Sequence, residues 1–234
     1  MEYRWLYNER SSPGVNYNDT EVAEKYDETH SSLYDPAQTA RAALDQISLG
    51  KNDILIDLAT GTGTLAVEAA KQCKKVYAVD ISPAMLSQAK RKTEIADMNN
   101  IEFIEAGFLT YEHQGDSPDV IVSLIALHHL PDFWKAVAIQ RIYDLLKPGG
   151  QFLFADSAYS FHVREYQKVY NKTMAERKAQ VSKRLFDQMA EDSTTEFMTF
   201  TWILEGIFER VGFTVETAEF PTELFANYIC RKQC

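Results

Sequence analysis

Two short apolar runs, each ending in an acid, stand about twenty residues apart with a glycine pair between them, a spacing proper to a strand–turn–helix–strand unit. The first run is Ile54-Leu55-Ile56-Asp57-Leu58, followed by Ala59-Thr60-Gly61-Thr62-Gly63-Thr64-Leu65-Ala66; the second is Val76-Tyr77-Ala78-Val79-Asp80. Short, branched runs bounded by glycine read as parallel strands buried on both faces. Gly61 and Gly63 let the backbone turn tightly with no Cβ in the way of a ligand, and the turn opens onto a helix N-terminus. Asp80 falls at the end of the second strand, where a carboxylate takes both hydroxyls of a ribose. The chain is thereby constrained to a Rossmann-like unit holding an adenosine-containing cofactor.

Two cofactors fit that frame. Read from Gly61, the turn Gly-Thr-Gly-Thr-Leu-Ala satisfies the dinucleotide fingerprint with Ala in third place. Read from Asp57, it is Asp-x-Ala-x-Gly-x-Gly, which resembles motif I of the class I S-adenosylmethionine (AdoMet) methyltransferases, with Ala59 where most members carry the first Gly. A dinucleotide places a pyrophosphate at the helix N-terminus. AdoMet has none, but carries an ammonium and a sulfonium. A carboxylate inside the turn repels the former and attracts the latter, so Asp57 favours AdoMet.

The rest of the chain extends the same unit. Strands are expected at 53–58, 75–80, 101–105, 119–123 and 151–155, with helices at 64–72, 83–98 and 134–146 between them. Alternation of this kind predicts a doubly wound parallel sheet. Residues 36–48 read as an amphipathic helix ahead of it. Beyond Asp156 the pattern changes: 161–189 is long, charged and helical, 191–195 is a polar break, and 200–211 is a helix stopped by Gly212. Alternating runs at 213–220 and 225–230 close the chain as a hairpin. The expected fold is α/β: a Rossmann-like, mostly parallel seven-stranded sheet with a C-terminal antiparallel hairpin and a helical cap insertion. Three regions follow: an aromatic N-terminal lid at 1–35 (Tyr3, Trp5, Tyr7, Tyr17, Tyr26, Tyr34, with a turn signal Ser11-Ser12-Pro13-Gly14), an AdoMet-binding domain at 36–157 and 201–234, and the cap at 158–200.

A 234-residue chain that is 45% hydrophobic is long enough for one such domain and a small lid. Its net charge of −10 argues against a general grip on nucleic acid. The lysine clusters at 71–75 and 90–92 fall at expected helix ends, where cations are favoured in any case. Three cysteines without metal or CxxC spacing suit a reducing compartment. No signal-peptide core or transmembrane run appears, so a soluble, cytoplasmic protein without membrane partners is expected. A homodimer is compatible with the chain.

Taken together, Tyr26-Asp27, Asp57 to Gly63, Val79-Asp80-Ile81-Ser82-Pro83-Ala84-Met85-Leu86, Asp119 to Leu130 and Lys147 to Gly150 resemble the class I AdoMet-dependent methyltransferases, most nearly the YrrT-type methyltransferases of bacilli. The resemblance implies roles. Asp57, Ala59, Thr60 and Gly61, with Gly63 completing the turn, would hold the methionine moiety. Asp80 would take the ribose, and Ile81 and Met85 would sandwich the adenine. Phe108 would border the adenine, partly through its backbone N–H. Ser123 and Leu124 would line the sulfonium side, and Tyr26 would reach the carboxylate or close the pocket. Gly107 stands where many relatives carry an Asp that accepts from the adenine amino group, a bond then lost or made by backbone. Ala59 is tolerated provided its φ is negative.

Methyl transfer from a sulfonium is an in-line displacement, which an enzyme promotes mainly by positioning and desolvation. A base helps only when the nucleophile must lose a proton. His128 and His129, just past the fourth strand, are the candidate catalytic residues, although packing or capping also explains each. Asp156 and Ser157 are placed to orient a substrate, with Tyr159 and His162 as weaker candidates; Trp202, Phe197, Phe200 and Phe208 read as core or cap packing. No Asn-Pro-Pro-Tyr or Asp-Pro-Pro-Tyr follows the fourth strand; Ser123-Leu124-Ile125-Ala126 gives a small, apolar lining instead. The acceptor expected is therefore a small molecule in an apolar pocket. The histidines offer no metal-ligand spacing beyond one adjacent pair, so no metal is expected. Two rivals remain at this point: an NAD-dependent oxidoreductase and a non-catalytic AdoMet-binding protein.

Overall fold

The computed structural model describes residues 5–11, 14–31 and 34–234; Tyr3 and the Ser12-Pro13 half of the turn signal lie outside them. Five parallel strands form the body: β1 (Ile54–Leu58), β2 (Lys75–Asp80), β3 (Ile101–Glu105), β4 (Val120–Leu124) and β5 (Gln151–Tyr159). A two-residue strand, β6 (Thr199–Phe200), and the hairpin β7 (Phe213–Thr222) and β8 (Phe225–Lys232) complete the sheet. The order is β3-β2-β1-β4-β5-β8-β7, with β8 antiparallel to β5 and β6 parallel to the end of β5. Strand order reverses between β1 and β4, so the crevice for a ligand opens outside their carboxyl ends.

Alternation decides which residues face which layer. Leu55, Val76, Ala78, Val120, Val122 and Leu153 pack toward α2 (Pro36–Leu44) and α3 (Thr64–Ala70). Ile56, Leu58, Val79, Ile121, Phe152 and Phe154 pack the other way, onto α5 (Asp132–Leu145) and α8 (Thr201–Val211). Both faces are covered, which is why β1 is buried throughout and reads as an uninterrupted apolar run. The helix starts follow the side chains available. Asp19 caps α1 (Thr20–His30), Asp35 caps α2, and Ser82 caps α4 (Pro83–Ile95) with Pro83 in the first turn.

Five expectations need correction. The sheet has eight strands rather than seven, because β6 pairs Thr199 and Phe200 with Ala158 and Tyr159. For the same reason, and because β8 pairs as far as Ser157, β5 runs to Tyr159 instead of stopping at 155. The helix expected over 161–189 is two: α6 (Tyr166–Gln180) and α7 (Lys183–Thr195), divided where Ser182 Oγ accepts from the Leu185 N–H and starts a new helix. The polar stretch 191–195 is helical, since Ser193 donates to the Met189 carbonyl and Thr194 and Thr195 to that of Glu191, bonds that keep hydroxyl side chains inside a helix. Phe208 is core, but Trp202 is 66% exposed, stacked on Phe200. Among the described residues no helix is long and apolar enough to cross a membrane.

Candidate active site

The carboxyl ends of β1, β2 and β4 open into a cavity of about 400 Å³. Asp57, Ala59, Thr60, Gly61, Asp80, Ile81, Met85, Gly107, Phe108, Leu124 and Tyr26 all line it. Gly63, Ser123 and His128 do not. Gly63 sits behind the turn at φ +78°, where an added Cβ would meet the Ala89 Cβ at 2.7 Å, so it serves the α3–α4 contact. Ser123 is buried with its hydroxyl unbonded among the described residues.

The turn between β1 and α3 is stretched over two acids. Thr60 Oγ1 donates to Asp57 Oδ2 at 2.6 Å. Gly61 N–H donates to Asp80 Oδ2 and Ser82 N–H to Asp80 Oδ1, both at 2.8 Å. Burial lifts both carboxyls, and for Asp57 burial together with the charge of Asp80 takes it to about 7. Neither acid has a basic ion-pair partner among the described residues. Two buried, like-charged carboxyls at one end of a cavity make a site for a cation, which fits AdoMet and disfavours a pyrophosphate. Ala59 corrects the sequence expectation: its φ is +63°, so the residue standing in the glycine position occupies the left-handed region. Holding Ala there costs on the order of 1–2 kcal/mol, which the anchored turn tolerates.

Helix α1 lies across the cavity. Lys92 Nζ donates to Asp27 Oδ2 at 2.7 Å and to Thr62 and Thr64 at 3.0 and 2.6 Å, and Thr62 donates to Asp27 Oδ1 at 2.7 Å. That pin aims Tyr26 and His30 at the cavity; Tyr17, whose carbonyl accepts from Ser82 Oγ at 2.6 Å, and Tyr34 line it as well. Tyr26 stacks on His30 at 4.2 Å, and burial holds its phenol well above the ordinary range, so it stays neutral. The sequence places Tyr17 in the lid and marks Lys92 as a helix-end cation, but does not reveal the Asp27–Lys92 pin itself.

Beyond the turn, the far wall is Leu124, Ile125, Ala126, His129 and Leu130. The two histidines part company there. His128 is buried and faces Asp156: Nδ1 lies 2.5 Å from Asp156 Oδ1, and the His128 backbone N–H donates to Oδ2 at 3.0 Å. Burial pulls the imidazole down, but the carboxylate beside it prevails and holds it above its usual value, while Asp156 is held low by the same contact. Asp156 is thus committed to His128 and to the Ser157 N–H and does not line the cavity. His129 faces the cavity, its ring 5.9 Å from Tyr17. Burial first, and then the neighbouring His128, push it down to about 3, so it is neutral at physiological pH.

Glu196, which the sequence reading missed, ties the pair together: Oε2 is 3.3 Å from His128 Nε2 and Oε1 is 3.5 Å from His129 Nδ1. Burial lifts its carboxyl to about 7. Its position is set by the next residue, whose N–H donates to the His128 carbonyl and whose carbonyl accepts from the buried Lys135 ammonium. The three groups offer donor atoms within 4.8 Å of one another, a cluster invisible in the sequence because Glu196 arrives from the end of α7. Tyr159 and His162 lie elsewhere: Tyr159 bonds the Tyr170 hydroxyl at 2.6 Å, and His162 accepts from the Arg164 N–H.

Comparison with known proteins bears on what this cavity serves. Residues 55–150 match a family described as Methyltransferase domain. An uncharacterized methyltransferase of Bacillus mycoides (strain KBAB4) is 35% identical over 161 residues, 69% of each chain. Another, from Anoxybacillus flavithermus, is 30% identical over 190 residues, 81% of this chain and 82% of its own. This chain is a class I AdoMet-dependent methyltransferase. Its cofactor is S-adenosylmethionine, and the NAD alternative falls with that assignment. The fold agrees. An AdoMet-dependent methyltransferase from Aquifex aeolicus superposes with a TM-score of 0.62 at 16% identity, over 91% of this chain and 98% of that one. The phosphoethanolamine N-methyltransferase 2 of Haemonchus contortus, solved with AdoMet, does so with 0.72 at 15% identity, over 99% of this chain and 61% of that one.

Proposed function

We propose that this methyltransferase acts in the cytoplasm on a small, largely apolar acceptor, by in-line displacement, beneath the aromatic lid. The observation that carries the reading is the far end of the cavity, lined by Leu124, Ile125, Ala126, Leu130, Tyr17 and His129 beside α1. Its lining is apolar, and the chain's net charge of −10 works against a nucleic-acid acceptor. AdoMet supplies a methyl group on a cationic sulfur. The residues do the rest. Asp57 and the turn from Ala59 to Gly61 hold the methionine end, Asp80 the ribose, and Ile81, Met85 and Phe108 the adenine. The apolar wall excludes water from the reacting centre. Where the acceptor must lose a proton, the neutral His129 ring passes it on: the ring takes it on the cavity side as Nδ1 gives its own to Glu196, whose carboxyl, lifted to about 7, is the better base. His128 is a positioning residue: it reaches Glu196 and Asp156 and acts through them.

A thermal-shift titration with AdoMet, S-adenosylhomocysteine and NAD tests the cofactor site. Stabilisation by the first two alone is expected. A screen of apolar hydroxy, amino and thiol compounds for S-adenosylhomocysteine formation then tests the acceptor class. Turnover only on a protein or RNA would overturn the small-molecule reading, and binding with no turnover on any acceptor would favour a non-catalytic AdoMet-binding role.

A further inference from the structure

In the AdoMet reading the adenine would lie past Asp80, among Ile81, Met85, Gly107 and Phe108, all of which line the cavity. At that end stands a carboxylate from a remote part of the chain. A Cβ built on Gly107 would fall 2.5 Å from Glu9 Oε2 and 2.6 Å from both Cδ and Oε1. The Glu9 side chain therefore fills the space a side chain at 107 would take. It is held firmly there. Oε2 accepts from the Leu109 N–H at 3.0 Å; burial raises the carboxyl overall, and the Leu109 and Phe108 N–H groups pull it back toward the charged form. The next residue, Arg10, donates to the Ile81 carbonyl at 3.1 Å and to Glu105 at 2.6 Å, which clamps the 3-10 turn Glu9–Ser11 across the ends of β2 and β3. An ionised carboxylate is an acceptor only, with room for about four hydrogen bonds. Its backbone donors leave capacity toward the cavity, and the edge of adenine that reaches this end carries an N–H donor.

Resting on the AdoMet reading of the cavity, we infer that Glu9 is the acceptor for the exocyclic amino group of the cofactor's adenine. The N-terminal segment supplies the group that position 107 lacks. Adenine brings a ring acceptor, N1, beside its amino donor. The Phe108 backbone N–H, which lies close enough to act on the Glu9 carboxyl, would donate to N1 while the carboxylate takes the amino N–H. Recognition of the base and docking of residues 9–11 are then one event, and loss of the segment removes base selectivity without touching the Rossmann-like core.

The test is a binding cycle by calorimetry, using S-adenosylhomocysteine and its analogue with purine in place of adenine, which keeps N1 and lacks only the amino group. Wild-type protein is expected to bind the adenine form about tenfold or more tightly than the purine form, the scale of a hydrogen bond to a charged group. In Glu9→Ala that ratio is expected to fall below about threefold. In Glu9→Ala/Gly107→Asp, which returns a carboxylate to the vacated space, it is expected to recover. Should Glu9→Ala disturb folding, Glu9→Gln keeps the shape without the charge, and its ratio is expected between the two. An undiminished ratio in Glu9→Ala or Glu9→Gln overturns the inference while leaving the cofactor reading intact. Failure of wild-type protein to bind either compound overturns the cofactor reading itself.

Discussion

The N–H of Gly61 donates to Asp80 Oδ2 across 2.8 Å, tying the glycine turn after β1 to the acid that ends β2. The other oxygen of Asp80 is held by the Ser82 N–H at the same distance, so the carboxylate is aimed before any ligand arrives. Asp80→Ala is expected to weaken AdoMet binding by about 1–3 kcal/mol, the scale for losing a charged hydrogen-bond partner. Calorimetry giving the wild-type affinity would remove the ribose assignment.

Asp57 links binding to pH. Its carboxyl, raised to about 7 by burial and by Asp80, keeps its proton below that pH in the unliganded fold. A cationic ligand favours the ionised form and expels the proton. Affinity for AdoMet is therefore expected to rise as pH approaches 7 and to level off above it. Calorimetry at pH 6 in buffers of different ionisation enthalpy should show proton release that is absent at pH 8.5. Asp57→Asn should abolish that release; release that persists would place the titrating group elsewhere, Glu196 being the next to examine.

The same shift has a stability consequence. A carboxyl raised in the folded state favours folding at low pH, and that contribution is lost as pH rises from the unfolded value through about 7. Asp57→Asn is thus expected to stabilise the unliganded protein more at pH 8 than at pH 4, as read from thermal unfolding midpoints.

His128 and His129 should separate experimentally. His128 is locked to Asp156 at 2.5 Å in the buried core, and removing one member of such a pair costs about 3–5 kcal/mol. His128→Ala is expected to lower the unfolding midpoint strongly. His129→Ala is expected to leave the midpoint and S-adenosylhomocysteine affinity nearly unchanged while slowing methyl transfer about 100-fold or more on an acceptor that must lose a proton. Equal effects of both variants on stability, with no effect on turnover, would make both histidines structural.

Ala59 and Gly63 occupy the same left-handed region, with φ +63° and +78°. Ala59→Gly is expected to stabilise the fold by about 0.5–1 kcal/mol, the strain relieved less the entropy that glycine adds to the unfolded chain. Gly63→Ala, which drives a Cβ to 2.7 Å from that of Ala89, should destabilise it by more than that. Urea unfolding midpoints decide both.

The sequence by itself determined the parallel sheet, the hairpin beside β5, and the acids and glycines of the cofactor turn. Each is written in neighbouring residues: strands buried on both faces must be continuously apolar, and a turn that approaches a ligand must carry glycine. It also placed His128 and His129 just past β4. It could not tell them apart, because the difference lies in Asp156 and Glu196, 28 and 68 residues downstream of His128. Only the tertiary structure decided that Ala59 is left-handed, that the polar stretch at 191–195 remains helical, and that Glu9 fills the space beside Gly107. These depend on which distant groups satisfy a buried donor or acceptor. Burial makes an unpaired polar group costly wherever its partner lies along the chain, so such pairings are selected in space and leave no local pattern.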